Sequence, residues 1–409
     1  MRLLALALLL PVRSIGALAI QDVTVIDVAA GVARPHRNVV IEKDRITSLG
    51  SVIPAGARIV DGRGKFLIPG LWDMHVHLWY QENQLPLYLA FGITGVQDMG
   101  SDFERVSAWR AAIESGQAAG PHIVTSGPPV DGRASDDSKL PVLVAQTPQD
   151  ARLAFDRLWN MNVDFVKVLS GLSRDSYLAL AEQARHWHLR LEGHIPASIT
   201  AWEAIEARQR SLEHLFGVMK AVSTDAEALD FFEQCATRGV RISPTLVLWQ
   251  RMAHLTDQQL ANDPALKYVS PSIRKSWPDL ADDESPIKTE VPGIYRLVAL
   301  ATRTKVEVLA GTDTGDPWTI PGVSLHDELE QLVAAGMTTD QALRAATLAP
   351  ARFFEWEETM GTVEKGKMAD LVMLDANPLE DIHNTRRIAA VFSRGRYFSR
   401  KDLDAMLAR

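Results

Sequence analysis

Residues 69–78 read PGLWDMHVHL, and two histidines, His75 and His77, stand one residue apart at the end of this apolar run. Side chains on a strand alternate between faces, so both imidazoles project from the same side. Each neutral ring offers a lone pair to a borderline metal such as zinc, and a rigid strand lowers the entropy lost when both nitrogens coordinate. Taken alone, His-x-His is weak evidence, because a strand histidine is more often structural. Its weight depends on what the rest of the chain sets beside it.

Outward from this stretch, apolar runs alternate with helical ones: FGITGVQDM (91–99), PHIVTSG (121–127), VDFVKVL (163–169), LRLEGH (189–194), SLEHLF (211–216), RISPTLVLW (241–249) and VEVLAGTD (306–313). With the His-x-His strand they make eight strand candidates. The expected fold class is therefore α/β, a (β/α)8 TIM-like barrel over residues 67–359. One helix start is explicit: Thr338 precedes ALRAATLAPARFF, and Gln341 completes a capping box. On either side the rhythm changes to short alternating runs broken by Gly, Asp and Asn, over 20–66 and again over 360–409. Those two ends are expected to join as one small β-sandwich domain. Two polar interruptions, PPVDGRASDDSKLP after the third strand and Trp249–Gly293 after the seventh, fall at strand C-termini and are expected to shape a substrate pocket.

The chain has 409 residues, 46% of them hydrophobic, enough to fill such a core. A net charge of −8 without a basic stripe excludes nucleic acid as a partner. The single cysteine, Cys235, allows neither an internal disulfide nor a thiolate metal cluster, so any metal must use His, Lys or carboxylates. At the N-terminus, MRLLALALLLPVRSIGALA offers one early Arg2, an apolar run from Leu3 to Leu10 and small residues at Ala17 and Ala19. Residues 1–19 are expected to be a signal peptide, too short for a retained membrane anchor, which places the protein in the periplasm or outside the cell. The alternative is a cytoplasmic protein in which Leu18 and Ile20 continue the alternation of the first strand.

Reactive residues collect at the strand ends. His75 and His77 end the first strand, Lys167 the fourth, His194 the fifth, His214 the sixth and Asp313 the eighth. Lys167 shares a face with Phe165 and Leu169, an unfavourable place for an unpaired ammonium. Burial favours its neutral form, which can take up carbon dioxide to become a carbamate bridging two cations. Asp313 can ligate a metal and shuttle a proton from attacking water to a leaving group. Trp79, Tyr80, Trp249 and Trp318 occupy strand-end loops and are candidate pocket walls, and His326 opens a helix from which it could reach the pocket. His122, His186, His188 and His254 show no ligand rhythm.

Taken in order, DGRGKFLIPGLWDMHVHL, VDFVKVL, EGHIP, SLEHLF, LAGTDTG, LHDELEQLVAAGMTTDQALRAATLAPARFF and GTVEKGKMADLVMLDANPLEDI resemble the amidohydrolase superfamily over nearly the whole chain. The likeness is to its binuclear-metal branch, with imidazolonepropionase-like and prolidase-like dipeptidase relatives. It implies that His75, His77 and Asp313 hold one divalent ion and His194 and His214 the other, zinc being the default, and that carbamylated Lys167 joins them with a bridging hydroxide. It also implies hydrolysis of an amide or peptide-like C–N bond. A Gly-Gly-His run that marks dipeptidase members after the third strand is absent, so dipeptide specificity does not carry over. The same ligands would serve a lactonase, an esterase or a phosphotriesterase. A non-catalytic barrel scaffold is disfavoured because it needs no ligand set. The expected partner is a small-molecule substrate, and association with copies of itself stays open.

Overall fold

The computed structural model describes residues 16–79, 84–135, 140–254, 258–275, 277 and 287–408. Tyr80 and the run Leu3–Leu10 therefore lie outside the described residues.

Both chain ends enter one hydrogen-bonded sheet of eight strands. Its spine is Leu18–Asp27, which pairs antiparallel with Val32–Glu42 and parallel with Arg58–Asp61 at its start and Phe66–Pro69 at its end. A bulge permits this change of neighbours: Asp22 sits at φ 56°, and its N–H donates to the Asn38 side chain instead of the ladder. Leu371–Leu374, Ile388–Ser393 and Arg396–Ser399 extend the sheet from Phe66–Pro69. In place of the two facing sheets of the expected sandwich, both chain ends share one continuous hydrogen-bonded sheet. Its edge strand Arg45–Gly50 bonds back to the far side, Ile46 N–H to the Lys367 carbonyl and Ala369 N–H to that of Asp44. The sheet thereby encloses its own apolar cluster, which includes Ile20, Val25, Ile41, Leu67, Leu371 and Phe392. The first strand begins at Leu18, and Leu18 and Ala19 pair with Ile41 and Val40. The boundary expected at Ile20 therefore falls inside a strand, because the apolar alternation already starts at Leu18.

Phe66–Pro69 leads through Gly70 into Leu71–Val76, buried at every position. That strand runs parallel to Ile93–Asp98, which pairs with His122–Thr125. A second parallel set orders Leu143–Val144, Val130–Asp131, Phe165–Val168, Arg190–Gly193, Ser211–Glu213 and Arg241–Ser243. Backbone contacts outside the named strands connect the sets: Asp164 N–H donates to the Thr125 carbonyl at 2.9 Å on one side, and on the other residues 307–314 bond to Ile242 and to Met74, His75 and His77, with bridges Val308 to Ile242 and Thr314 to Val76. Strands this short are buried on both faces and need helices outside them. Those helices begin with reciprocal caps, Thr147 with Asp150, Thr200 with Glu203, Thr224 with Glu227 and the expected Thr338 with Gln341. Among the described residues no helix is long and apolar enough to cross a membrane.

Two runs differ from their sequence reading. Only Arg241–Ser243 of RISPTLVLW is a strand: Pro244 offers no N–H, Thr245 turns the chain at φ 48°, and Leu246–Ala253 is helical. In VEVLAGTD a lone bridge at Val308, with another at Thr314 just beyond the run, replaces a continuous strand. Gly311 passes so close to His75 that an added Cβ would lie 2.7 Å from the His75 Cβ.

Candidate metal centre

Leu71–Val76 and the residue after it carry His75 and His77, one fully buried and the other nearly so. Opposite them Asp313 is held at φ 57°, with its N–H bonded to the His75 carbonyl at 2.8 Å. One carboxylate oxygen, Oδ1, lies 3.2 Å from Nε2 of both His75 and His77. The other, Oδ2, lies 3.7 Å from His214 Nε2. Ligating atoms of His75, His214 and Asp313 all come within 4.8 Å of one another. The rings of His194 and His214 are 4.9 Å apart, and Lys167 Nζ is 3.2 Å from His75 Nε2. All six ligand candidates from the sequence therefore meet at one place.

What fixes the rings is as telling as their convergence. His75 Nδ1 is paired with Glu213 Oε2 at 2.7 Å, His77 Nδ1 with the Gly100 carbonyl at 2.9 Å, His194 Nδ1 with Ser170 Oγ at 2.9 Å and His214 Nδ1 with Thr245 Oγ1 at 2.8 Å. Every Nδ1 is occupied, which sets the orientation of each ring and leaves Nε2 for the centre, the arrangement metal-binding histidines adopt. Glu213 was not anticipated from the sequence. Neighbours on a regular strand face opposite ways, so simple alternation does not bring Glu213 and His214 inward together. The structure turns the chain at His214, φ 65°, and Leu215, φ 59°, immediately after Glu213.

The electrostatics fit a cation. Burial drives the Lys167 ammonium form down and holds His194 well below the ordinary histidine value. His214 is lowered to about 3, by burial first and then by the nearby His75 and Lys167 charges. Burial pushes Asp313 and Glu213 upward, but the imidazole of His75, with His214 for Asp313, outweighs it and keeps both carboxylates ionised. Lys167, His194 and His214 are thus driven toward neutral lone pairs, whereas burial of His75 is outweighed by the flanking Asp313 and Glu213 carboxylates, which raise its pKa and leave a proton there for a cation to displace. Asp313 Oδ1 is also buried without a hydrogen bond, an acceptor that needs a cation or water. Nitrogen and oxygen donors of this kind suit zinc or a similar divalent ion, so the residues fit the group.

The centre opens into a cleft of about 610 Å3, with Trp79, Leu169, Ile195, Trp249 and Met252 among its walls. Trp79 stacks on His77 with ring centroids 4.4 Å apart, and Trp249 donates to the His214 carbonyl at 3.1 Å. These two aromatic candidates line the site. Two others do not. Trp318 packs on Trp277, and His326 is buried with Nδ1 on Thr385 Oγ1 and Nε2 on the Phe91 carbonyl, both at 2.9 Å. The helix start of His326 faces the core, so both ring nitrogens serve packing. Both polar interruptions do reach the cleft, through Arg133 and Ser135 and through Trp249 and Ile287. A larger cleft of about 830 Å3, between Trp109 and Tyr397, has no histidine or lysine among its described lining residues and lacks the chemistry of a centre.

With fold and centre in place, the chain proves to match the Amidohydrolase family over residues 66–397, and it belongs to that family. It is 24% identical to an imidazolonepropionase of Mesorhizobium japonicum over 404 residues, 86% of this chain and 90% of that protein. It is 26% identical to a dihydroorotase of Pelotomaculum thermopropionicum over 417 residues, 90% and 91% of the two chains. Among solved structures, a Xaa-Pro dipeptidase with methionine in its active site superposes with a TM-score of 0.75 at 22% identity, covering 94% of this chain and 100% of that one. The protein is accordingly a hydrolase of this family.

Proposed function

We propose that the protein is a metal-dependent hydrolase that cleaves an amide or peptide-like C–N bond, on a (β/α)8 barrel over residues 67–359 flanked by a β-domain from both chain ends. The observation that carries this reading is the gathering of four imidazoles, each held through Nδ1, around the buried Asp313 carboxylate, with Nε2 of His75 and His77 beside one of its oxygens, Nε2 of His214 beside the other and the His194 ring next to that of His214. His75, His77 and Asp313 would hold one divalent ion, His194 and His214 the other, and Lys167 would join them as a carbamate. Two such ions, zinc by default, lower the pKa of water and polarise a carbonyl.

The chain's own residues do the remaining work. Asp313 faces the centre as a carboxylate, takes the proton of the attacking water and passes it to the departing nitrogen. Glu213 keeps His75 in one tautomer. Trp79 and Trp249 wall the cleft and limit water around the reacting bond. Lys167 is buried and its pKa lowered, which supports the neutral amine that carbamylation requires.

Elemental analysis of protein purified without chelator tests the centre. About two divalent ions per chain are expected, with a carbamate carbon visible by NMR after exposure to labelled bicarbonate. A value near one or zero after incubation with zinc and bicarbonate would overturn it. Turnover confined to lactones or aryl phosphotriesters, with N-acyl amino acids and dipeptides untouched, would overturn the C–N assignment and leave the metals in place.

Export belongs to the same proposal. Since the first strand starts at Leu18, cleavage after Gly16, with Ser14 two residues before it as a second small residue, preserves the sheet. N-terminal sequencing from the native host should begin near Ala17. Intact Met1 on cytoplasmic protein would contradict export.

A further inference from the structure

At the opposite end of two of these strands lies a smaller pocket, of about 380 Å3. Arg190 opens the strand Arg190–Gly193, whose far end adjoins His194. Arg210 precedes Ser211–Glu213, whose far end adjoins His214. Both arginines line the pocket, together with Arg185, Arg208 and, as the one carboxylate among the described lining residues, Glu355. Leu189, Leu191, Phe353 and Phe354 supply an apolar wall.

The charges here do not balance among the described residues. Arg190 is neutralised by Glu192 at 2.8 Å, and Arg241 nearby shares Glu307 with Arg352. Arg185, Arg208 and Arg210 form no ion pair among the described residues. Arg210 is partly buried, and its Nε is buried with no hydrogen-bond partner among the described residues. A guanidinium has five donors and no means of shedding its charge at neutral pH, so a partly buried one without acceptors is costly. Burial, with Arg241 and Arg190 close by, pulls Arg210 below the ordinary arginine value. Helices Arg174–His186 and Ala201–Glu206 end at the rim. Their C-terminal dipoles offset part of the charge of the exposed Arg185 and Arg208, but they provide no acceptor for Arg210 Nε.

We propose that this pocket is a second ligand site that binds a phosphate group, held by Arg185, Arg208 and Arg210, either as free phosphate or on a small organic body lying against the apolar wall. Forked guanidinium donors match phosphate oxygens, and an oxyanion removes both the excess charge and the missing acceptors at once. Nothing in the hydrolytic centre requires this site.

Thermal unfolding of the metal-replete protein tests it, with inorganic phosphate, phenyl phosphate and sodium chloride compared at matched ionic strength. Phosphate at a hundredfold excess over its Kd should raise the unfolding temperature by about 3 °C or more over chloride. Arg210→Met keeps the aliphatic stem and removes the charge. It should unfold no lower than the parent in chloride and lose most of the phosphate shift. Arg208→Gln, at an exposed position, should weaken phosphate binding about tenfold and provides a second readout if Arg210→Met does not fold. Tighter binding of phenyl phosphate would identify an organic phosphate, and equal binding would identify free phosphate. A full shift retained in both variants would place the phosphate at the metals and overturn the proposal. An equal rise in chloride, or no rise, would overturn it as well.

Discussion

Replacing Glu213 by glutamine keeps the shape of the side chain and removes the charge behind His75. In the parent protein the carboxylate accepts from His75 Nδ1 at 2.7 Å with both side chains fully buried, so solvent does not dilute the interaction. Hydrogen bonds to a charged group contribute about 1.5–3 kcal/mol and neutral ones about 0.5–1.5 kcal/mol, so the change forfeits roughly 1–1.5 kcal/mol of support for the ring. Passed to the metal through the basicity of Nε2, that is about a tenfold loss of affinity, at the low end of the ten- to hundredfold typical of groups behind a ligating histidine. Competition against a chromogenic chelator measures this directly, with circular dichroism to establish that the variant is folded. Thr245→Val, which strips the neutral partner of His214, should cost less. If folded Glu213→Gln held both ions within about twofold of the parent, the reasoning about His75 would be refuted.

Three further outcomes are expected. Asp313→Asn cannot accept a proton and should lose at least about a hundredfold in turnover on amides, less on activated aryl esters; parent-rate amide hydrolysis with both metals retained would exclude the proton shuttle. Gly193→Ala should lower the unfolding temperature and activity together, because φ is 123° and the new Cβ would lie 2.3 Å from the Val168 carbonyl oxygen and 2.8 Å from Lys167 Cδ; an alanine variant as stable and active as the parent would contradict this. Burial pushes Glu328 up to about 8 from an ordinary 4.5, so the folded state retains a proton that the unfolded chain has given up, and stability falls as pH rises between those values. Glu328→Gln should therefore match the parent near pH 5 and exceed it above pH 8 by about 2–4 kcal/mol in denaturant titrations, and parallel pH profiles would show that Glu328 titrates normally.

The six ligand candidates were readable because parallel strands bring their C-terminal ends together, so position along the chain translates into position in space. Thr338 and Gln341 were readable because a capping box is local. Glu213 was hidden by a backbone turn: alternation sends it away from His214 unless the chain reverses at φ 65°, and a residue other than glycine gives no warning of such a conformation. His326 was misplaced for the converse reason, since a helix start near Asp313 fixes proximity in sequence but not which face meets the cleft. The single curled sheet escaped notice because alternation within each strand is the same whether two layers or one enclose the core. The bulge at Asp22 and the return of Arg45–Gly50 to residues 366–369 decide between them, and both are long-range.

The pairing of Phe66–Pro69 with Leu371–Leu374 also bears on synthesis. Gly70 N–H is bonded to the Asp370 carbonyl at 2.8 Å, one residue before the strand that carries His75. A ribosome releases the first of these partners roughly 300 residues before the second, and closing so long a loop carries a large entropic cost until both exist. The nascent chain can therefore form its outer helices while the strand bearing His75 and His77 lacks its anchor. Under the proposed reading, metal would enter late, once the C-terminal strands are available to pair, and loss of the chain from Leu371 onward would leave the strand of His75 without its anchor although every candidate ligand is still present.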